Sequence, residues 1–470
     1  MPPTAQTKVE VAKLTAIVVG SGLAGLSAAS ELISQGLTVR VFERAANPGG
    51  NSIKASSGIN GAPTKYQPLP DDAFYSDTIK SVGSAISIMK EQRETLISTL
   101  INSSSSAVSW LVETKGIDLS KVTQLGGHSF PRTHRGSSGP PPGFSIISTL
   151  LKHLKESPLF HLQTSCTVSR IIHEGGHVQG VEYVSENGEK EEQRGPVIFA
   201  SGGFGGDAEG LLAQYRPDLT GYPSTNDPRP GTQPLLTVVG AQLIDMDLVQ
   251  VHPTGFIDPA DPLSPRKFLA AELLRGEGGI LLLNGKRFVN ELETREKVTN
   301  AIIASTPTSV SPKQWEVTLV IDEGTYAAAK SHIDFYLFKG LMRKTTIADL
   351  GQDTLDSILR YASTAGKEQP DEFGRTSFAN WSLTDPTLES VVYVGIVTPV
   401  VHFAMGGVLI NDRSEVINEG GEKIEGLWAA GEVTGGVHGN NRLGGSSLLE
   451  CVVFGRIAGN QCAKYLKGVL

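Results

Sequence analysis

Residues 14–43 read LTAIVVGSGLAGLSAASELISQGLTVRVFE, and their pattern of apolar residues indicates the fold class. The apolar, β-branched run at 14–19 predicts a strand, residues 21–36 carry apolar side chains at helical spacing, and residues 37–42 predict a second strand. A strand, a helix and a strand within about 30 residues form a βαβ unit, which requires a parallel sheet with a right-handed crossover. The chain is therefore expected to be an α/β protein.

The turn between the first strand and the helix, GSGLAG at 20–25, has the pattern G-x-G-x-x-G. The first glycine permits a tight turn, the second lets the backbone approach a pyrophosphate at the helix N-terminus, and the third allows close helix–strand packing. Glu43 ends the second strand, where its carboxylate can accept hydrogen bonds from ribose hydroxyls. These features together favour a dinucleotide site over a glycine-rich packing turn.

The chain contains 53 glycines in 470 residues, more than the usual share of ~7%. They cluster at 20–25, 49–50, 202–206, 431–439 and 444–445, where backbone can approach a bound molecule closely. A second Gly-Gly just after the acidic ribose ligand, and glycine motifs that return at the far end of the chain, suit a flavin dinucleotide with an extended tail.

The stretch at 247–401 has a different character, with glycine-punctuated strands, helices and polar linkers. We therefore expect one discontinuous domain, 14–246 and 402–470, interrupted by a second domain, 247–401, and preceded by an N-terminal extension at 1–13. Outside the βαβ unit, the patterns predict a hairpin over 166–185, a strand at 197–200, and helices at 77–98, 145–155, 323–332, 346–364 and 446–465.

Composition excludes several other classes of protein. The net charge is −8, so there is no strong positive field to attract nucleic acid. The three cysteines show no C-x-x-C pattern, which disfavours iron–sulfur clusters, zinc ribbons and attached haem, and no metal site is expected. No apolar run approaches the ~18 residues of a membrane span, and the first residues lack the apolar core of a secretory signal. The default expectation is a cytoplasmic protein without membrane partners.

Several longer motifs resemble the soluble, yeast-type fumarate reductases of the succinate dehydrogenase/fumarate reductase flavoprotein family. The resemblance runs from about 15 to 465 and is densest at GGNSIKASSGIN (49–60), VHPTGF (251–256), AAELLRGEGGILLLNGKRFVNE (270–291), TPVVHFAMGG (398–407) and NRLGGSSLLECVVFGR (441–456). It implies a Rossmann-like FAD-binding domain with an inserted α+β capping domain, and a dicarboxylate bound between the two.

The resemblance and the glycine motifs assign the cofactor. Membrane-complex relatives carry FAD covalently on a histidine near the first Gly-Gly; the matching position here is Ser52, so non-covalent FAD is expected. The predicted FAD-binding residues are Gly20, Gly22, Leu23, Ala24, Gly25, Glu43, Arg44, Gly50, Asn51, Ser52, Ser56, Ser57, Gly58, Ala200, Ser201, Gly202, Gly431, Glu432, Arg442, Gly445, Ser447 and Leu448.

The resemblance also implies a catalytic set for reducing fumarate to succinate. His252, His402 and Arg442 would bind the two carboxylates, and a guanidinium can do so bidentately. Arg295 matches the family's proton donor, although arginine as a residue type has a pKa above ~12 and is a poor acid in isolation.

Glu272 and Arg275 match the family's proton relay. They are three residues apart, hence on one face if that stretch is helical. His128 in LGGHS is a further candidate for contact with flavin or substrate, against a purely structural role.

Three departures from the family pattern bear on the substrate. The loop at 226–233, NDPRPGTQ, lacks the family's Thr-Gly-Asp-Gly and has two prolines. Ala404 replaces a threonine whose hydroxyl could bind a carboxylate. Glu293 stands where threonine is common, and a buried carboxylate there would repel an anionic substrate.

Three functions remain open on these grounds. The first is a fumarate reductase, and the second is an FAD-dependent reductase or dehydrogenase of another unsaturated acid or secondary metabolite. The third is a flavoprotein without activity of its own. No second G-x-G-x-x-G unit is present for NADH, so electrons are expected from an external donor such as free reduced flavin or an NADH-linked donor.

Overall fold

The computed structural model describes residues 15–468; the predicted N-terminal extension at 1–13 lies outside this range. The helices of the described range are α1 Leu23–Ser34, α2 Phe74–Val82, α3 Lys90–Asn102, α4 Ser104–Ser109, α5 Pro142–Lys155, α6 Leu211–Tyr215, α7 Gln233–Thr237, α8 Leu273–Gly276, α9 Arg295–Ile303, α10 Glu323–Ala328, α11 Lys330–Phe338, α12 Gln352–Ala365 and α13 Ser446–Leu466.

The strands of the described range are numbered in chain order. They are β1 Thr15–Val19, β2 Thr38–Phe42, β3 Ile59–Asn60, β4 Lys121–Thr123, β5 Thr133–Arg135, β6 Phe160–Gln163, β7 Thr167–Glu174, β8 His177–Val184, β9 Lys190–Arg194, β10 Val197–Phe199, β11 Leu243–Ile244, β12 Val249–Phe256, β13 Phe268–Leu269, β14 Ile280–Leu283, β15 Lys286–Arg287, β16 Val317–Ile321, β17 Arg343–Thr346, β18 Val391–Ala404, β19 Gly407–Leu409, β20 Glu415–Ile417, β21 Lys423–Ala429 and β22 Thr434–Gly435.

The predicted βαβ unit forms the centre of the larger sheet. Strand order is β6-β2-β1-β10-β21-β8-β7, with β9 paired to β8 and β20 to β21, and the four pairings from β6 to β21 are parallel. The β1 residues Ala16–Val18 are fully buried, since helices cover both faces of a parallel sheet. The fold is the expected α/β class.

The glycine turn is required by close backbone contacts. Gly20 has φ +106°, and a Cβ there would lie 2.3 Å from the Ala200 carbonyl oxygen on the neighbouring strand's end. A Cβ on Gly25 would lie 2.0 Å from the Gly20 carbonyl oxygen. Both distances are shorter than van der Waals contact, so the start of α1 can sit this close to the sheet only with glycine.

The second sheet contains seven strands from the middle of the chain. Its order is β13-β12-β18-β16-β14-β15, with β17 paired to β18, and neighbouring strands are antiparallel. The long strand β18 ends at Ala404 and is paired with β12 up to that residue. His402, near the end of this strand, lines the cavity described below.

Of the five helices predicted outside the βαβ unit, those at 145–155 and 446–465 form and the other three are interrupted. The helix expected at 323–332 is divided at Ala329 between α10 and α11, and the one expected at 346–364 begins only at Gln352, after Gly351 with φ +90°. The expected helix at 77–98 is interrupted, since α2 ends at Val82 and α3 begins at Lys90. Gly83 has φ +64° and Met89 has φ +48°, and a left-handed residue cannot continue a right-handed helix. Within residues 15–468, none of the helices combines the length and hydropathy needed to cross a bilayer.

Candidate active site

A cavity of about 1010 Å³ lies between the larger sheet and the middle segment of the chain. Every residue predicted to bind FAD lines it except Gly25, which packs against Gly20 instead. Of the predicted catalytic residues, Arg295, His402 and Arg442 line the same cavity. His252, Glu272 and Arg275 lie behind that wall and are at most 1% exposed.

Two helices begin at this cavity without a side-chain cap from their own N-cap residue. Gly22 is the N-cap of α1 and Gly445 that of α13; neither supplies a capping oxygen, and neither helix has an acidic residue in its first turn. Uncapped N–H groups and the helix dipole favour an anion at each point. This cradle fits a molecule that carries negative charge at two separated places, as a flavin dinucleotide does.

Glu43 and Ser52 hold the first of these helix starts in place. The Glu43 carboxylate accepts hydrogen bonds from the Ser21 backbone N–H at 3.1 Å, from the Ser21 hydroxyl at 2.6 Å and from the Ala45 N–H at 2.8 Å. The Ser52 hydroxyl accepts from the Leu23 N–H at 3.2 Å. Glu43, which is predicted to bind the ribose, therefore lines the cavity with its carboxylate held in one orientation.

Arg295 and Glu272 form a buried ion pair. Arg295 is the first residue of α9, and its Nε lies 2.8 Å from Glu272 Oε2. Burial by itself would raise the pKa of Glu272, but Arg295 and Arg275 outweigh it and lower that pKa to about 2. Glu272 is therefore a carboxylate at rest.

Arg275 continues this row of charges. Its Nη2 lies 3.9 Å from Glu272 Oε1, and its Nη1 donates to the Glu291 carbonyl at 2.7 Å. Its Nε and Nη2 are buried without a hydrogen bond within the described residues. Glu272 is the N-cap of the short helix α8, so the i, i+3 spacing does place the two side chains on one face.

Gln250 on β12 connects the two cavity arginines, and sequence reasoning missed it. Its Oε1 accepts from Arg295 Nη1 at 2.7 Å and from Arg442 Nη2 at 3.1 Å, while its Nε2 donates to the Arg442 carbonyl at 2.9 Å. Arg442 also stacks over Phe403, with 4.2 Å from its guanidinium carbon to the ring centroid. The one sequence signal for this glutamine is its place two residues before His252, in VQVH at 249–252.

The two histidines face each other near these arginines. The His252 and His402 rings are 5.3 Å apart between centroids. Burial, followed by the positive charge of Arg295, lowers the pKa of both well below 6.5, so both are neutral. His252 Nε2 is buried without a partner in the part of the chain that the structure describes. Neutral imidazoles can bind an anion only by donating a ring N–H.

Two further pKa shifts mark the cavity as strongly desolvated. Burial, and then the neighbouring Arg295, lowers the pKa of Arg442 to about 9. Burial raises the pKa of Glu432 to about 7. Shifted groups of both signs in one cavity are typical of a site that handles charged ligands.

Three further residues singled out from the sequence, His128, Glu293 and Ala404, do not line the cavity. His128 does not line the cavity; its Nε2 lies 3.1 Å from the Gly444 carbonyl and its Nδ1 3.1 Å from Arg132 Nη1, so both ring nitrogens are used internally. Glu293 is not buried: its side chain is 39% exposed and pairs with Lys297 at 3.0 Å. Ala404 is fully buried outside the cavity wall, and its N–H donates to Glu432.

The unusual loop at 226–233 is held by charges at the cavity mouth. Asp227 pairs with Lys54 at 2.8 Å, Arg229 at 2.8 Å and Arg266 at 2.7 Å. The Arg44 guanidinium donates to the Pro230 carbonyl at 2.7 Å. The loop thus links the Gly-Gly segment near 50 to the β12–β13 connection, which carries Arg266.

Comparison with known proteins agrees with this geometry. The profile of a family described as "FAD binding domain" matches residues 15–448. Fumarate reductase 1 of Saccharomyces cerevisiae is 45% identical over 95% of this chain and 98% of its own, and the fumarate reductase of Schizosaccharomyces pombe is 40% identical over 94% and 88%. The open conformation of a flavocytochrome c3 fumarate reductase superposes with a TM-score of 0.74 at 30% identity, covering 96% of this chain and 79% of that one.

The parallel sheet, the glycine turn and the cradle define an FAD-dependent oxidoreductase. Within that class, the chain belongs to the fumarate reductase flavoprotein family.

Proposed function

We propose that this protein reduces fumarate to succinate with non-covalently held FAD. The observation that carries the proposal is the convergence of Arg295, Arg442 and His402 on the wall of the FAD cradle, with Glu272 paired behind Arg295. The names of the S. cerevisiae and S. pombe relatives support the same substrate.

The cradle residues would hold the cofactor at both ends. The start of α1 would take the pyrophosphate, Glu43 the ribose hydroxyls, and the start of α13 the negative charge of the reduced ring. When bound and reduced, FAD supplies a hydride to one alkene carbon. In this proposal Ser52, which follows Gly49-Gly50, forms no covalent bond to the cofactor.

The substrate carboxylates would be bound by hydrogen-bond donors. Arg442 has a buried Nε without a partner among the described residues, and the guanidinium fork suits a carboxylate. His252 and His402 are neutral and can each donate one ring N–H. Such preorganised donors in a desolvated site also stabilise charge that develops on the substrate.

Arg295 would deliver the proton to the second alkene carbon. Gln250 and Glu272 hold its guanidinium from two sides, which restricts its orientation in the cavity wall. Glu272 Oε2 is in hydrogen-bond contact with Arg295 Nε, but as a carboxylate it can return a proton to Arg295 only after it has itself been protonated. Arg275 Nη2, 3.9 Å from Glu272 Oε1, must move closer before it can resupply that carboxylate.

We also propose the domain division expected from the sequence. The larger sheet draws its strands from 15–199 and 415–429, and the seven-stranded sheet from 249–404, which supports an FAD domain at 14–246 and 402–470 with a capping domain at 247–401. The capping segment would exclude water from the site. A cytoplasmic location and an external electron donor, free reduced flavin or an NADH-linked donor, stay predictions.

The test is anaerobic oxidation of a reduced viologen dye by fumarate in the presence of FAD-loaded protein. The native protein is expected to turn over, and Arg295→Gln to lose activity by about 10²–10⁴-fold, the usual contribution of a general acid. Lys297→Gln, which removes a cation two residues away on the surface, serves as the control. Absence of fumarate-dependent oxidation with intact bound FAD would refute the proposal.

A second candidate is reduction of another unsaturated carboxylic acid. It is favoured by the 226–233 loop, where Asp227 and three cations occupy the cavity mouth. A panel of enoates in the same assay separates the two, since fumarate having the highest kcat/KM would reject this alternative.

A further inference from the structure

The two histidines of the site can bind a carboxylate only in one of their two neutral tautomers. A carboxylate accepts hydrogen bonds and donates none. The ring nitrogen that faces the substrate must therefore carry the proton, and the other ring nitrogen must accept a hydrogen bond from the protein. The partners of the two Nδ1 atoms decide whether this condition is met.

His252 meets the condition through the backbone. Its Nδ1 lies 3.2 Å from the Thr254 backbone N–H, a group that can only donate. Nδ1 is therefore the acceptor, and the proton of the neutral ring is on Nε2. That Nε2 is the buried atom without a partner, so it is an N–H donor left for a ligand.

His402 meets the condition through a side chain. Its Nδ1 lies 3.0 Å from Thr225 Oγ1, and a hydroxyl can either donate or accept. The competing acceptor for the Thr225 proton is the Val401 carbonyl at 3.4 Å, beyond the range of about 2.5–3.0 Å for good O–H···O bonds.

The Val401 carbonyl is also served by shorter contacts. It accepts the Thr225 backbone N–H at 3.0 Å and lies 3.1 Å from the Ser224 hydroxyl. The Thr225 hydroxyl proton is therefore directed to His402 Nδ1.

We infer that Thr225 selects the Nε2–H tautomer of His402 and thereby makes this position the hydrogen-bond donor that a carboxylate requires. Thr225 is a positioning residue: it acts through the imidazole. The role of carboxylate binding rests on the proposed function, whereas the tautomer is a property of the protein before substrate arrives.

The surroundings keep His402 neutral, so the tautomer rather than the charge is what remains to be set. Arg295 and Arg442 are the charged groups that act on the ring, and the neutral His252 ring faces it at 5.3 Å. Burial and these two cations lower the pKa of His402 well below 6.5.

The direct test is nuclear magnetic resonance of FAD-loaded protein with ¹⁵N-labelled histidine rings. The chain has 10 histidines, and His402→Gln assigns the signal by its loss. Native protein at neutral pH is expected to show the proton of His402 on Nε2. Thr225→Val removes the donor and should give a mixture of tautomers, and Thr225→Ser should restore the native pattern.

Kinetics with fumarate and a viologen dye give the second readout. Thr225→Val is expected to raise KM about tenfold with kcat within threefold, because the lost donor weakens binding of ground and transition states alike. Thr225→Ser should stay within twofold of native KM. Thr237→Val, the same change at an exposed threonine whose hydroxyl bonds to the Pro234 carbonyl, should match native protein.

The two readouts separate this inference from the proposed function. A native spectrum with the proton on Nδ1, or a Thr225→Val spectrum identical to the native one, overturns the inference whatever the activity. If native protein fails to oxidise the dye with fumarate while the spectra behave as expected, the proposed function fails and the tautomer assignment stands.

Discussion

Replacing Glu272 with glutamine tests the buried ion pair at the centre of the site. Glu272 Oε2 accepts from Arg295 Nε at 2.8 Å and also from Nη2, while Oε1 accepts from the Gly126 N–H at 3.1 Å. Glutamine keeps the shape but removes the charge, and its NH2 group must face N–H donors on one side. Arg295 is then left as a buried cation without its counter-ion.

The magnitude follows from the pKa of Glu272, which is lowered from 4.5 to about 2. At 1.36 kcal/mol per pKa unit, the carboxylate contributes about 3 kcal/mol to the folded state. Since the folded pKa is depressed, this contribution is complete above pH 4.5 and is lost as pH falls towards 2. The native protein should therefore be about 3 kcal/mol more stable than Glu272→Gln near pH 7, and the two should converge in acid.

Urea unfolding at several pH values and viologen-linked turnover measure the two consequences. We expect kcat of Glu272→Gln to fall by about 10²–10⁴-fold, because the variant can neither hold Arg295 in place nor return a proton to it. Glu293→Gln is the matched control, since that carboxylate is part-exposed and pairs with Lys297. A kcat within threefold of native, or a stability difference that does not shrink in acid, would refute the reasoning.

Three further predictions concern the cradle and its charges. Gln250→Leu removes the acceptor shared by the two cavity arginines, and kcat/KM for fumarate should fall by about 10-fold or more while FAD content stays native. Gly25→Ala forces a Cβ to within 2.0 Å of the Gly20 carbonyl oxygen, so purified protein should have little bound FAD by absorbance. Glu432 has its pKa raised to about 7, so native stability should decline as pH rises from 4.5 through 7, and Glu432→Gln should lack that decline in urea titrations.

Each of these predictions has a contrary outcome. Native kcat/KM in Gln250→Leu would show that the arginines need no common acceptor. Full FAD occupancy in Gly25→Ala would show that α1 can shift without loss of the cradle. Equal pH profiles for Glu432→Gln and native protein would show that this carboxyl does not titrate in the folded state.

Secondary structure was predicted correctly where the hydrophobic pattern of one short stretch is enough to determine it. Strand β1, helix α1 and strand β2 lie within two residues of their expected bounds, because burial on a sheet face or helix stripe is visible as periodicity. The hairpin at Gly175-Gly176 formed as expected. The helix expected at 77–98 was wrong at 83–89, because periodicity does not show that Gly83 and Met89 adopt positive φ.

Sequence motifs pointed to individual residues but not to the side chains that contact them in the fold. Glu293 stands two residues from Arg295 in the chain, yet its side chain turns to Lys297 and solvent. Gln250 and Thr225 carry no motif of their own. Their importance comes from partners far away in the chain, Arg295 and Arg442 for the first and His402 for the second.

The α/β class, the dinucleotide turn and the residue types of the candidate site could be predicted from the sequence. Those properties depend on side-chain size, polarity and spacing along a few tens of residues. Which donor faces which acceptor depends on the packed fold, because Thr225 and His402 are 177 residues apart in the chain and meet only when distant segments come together. Proton positions, shifted pKa values and the ion pair of Arg295 depend on burial and distance, which exist only once the sheets have packed.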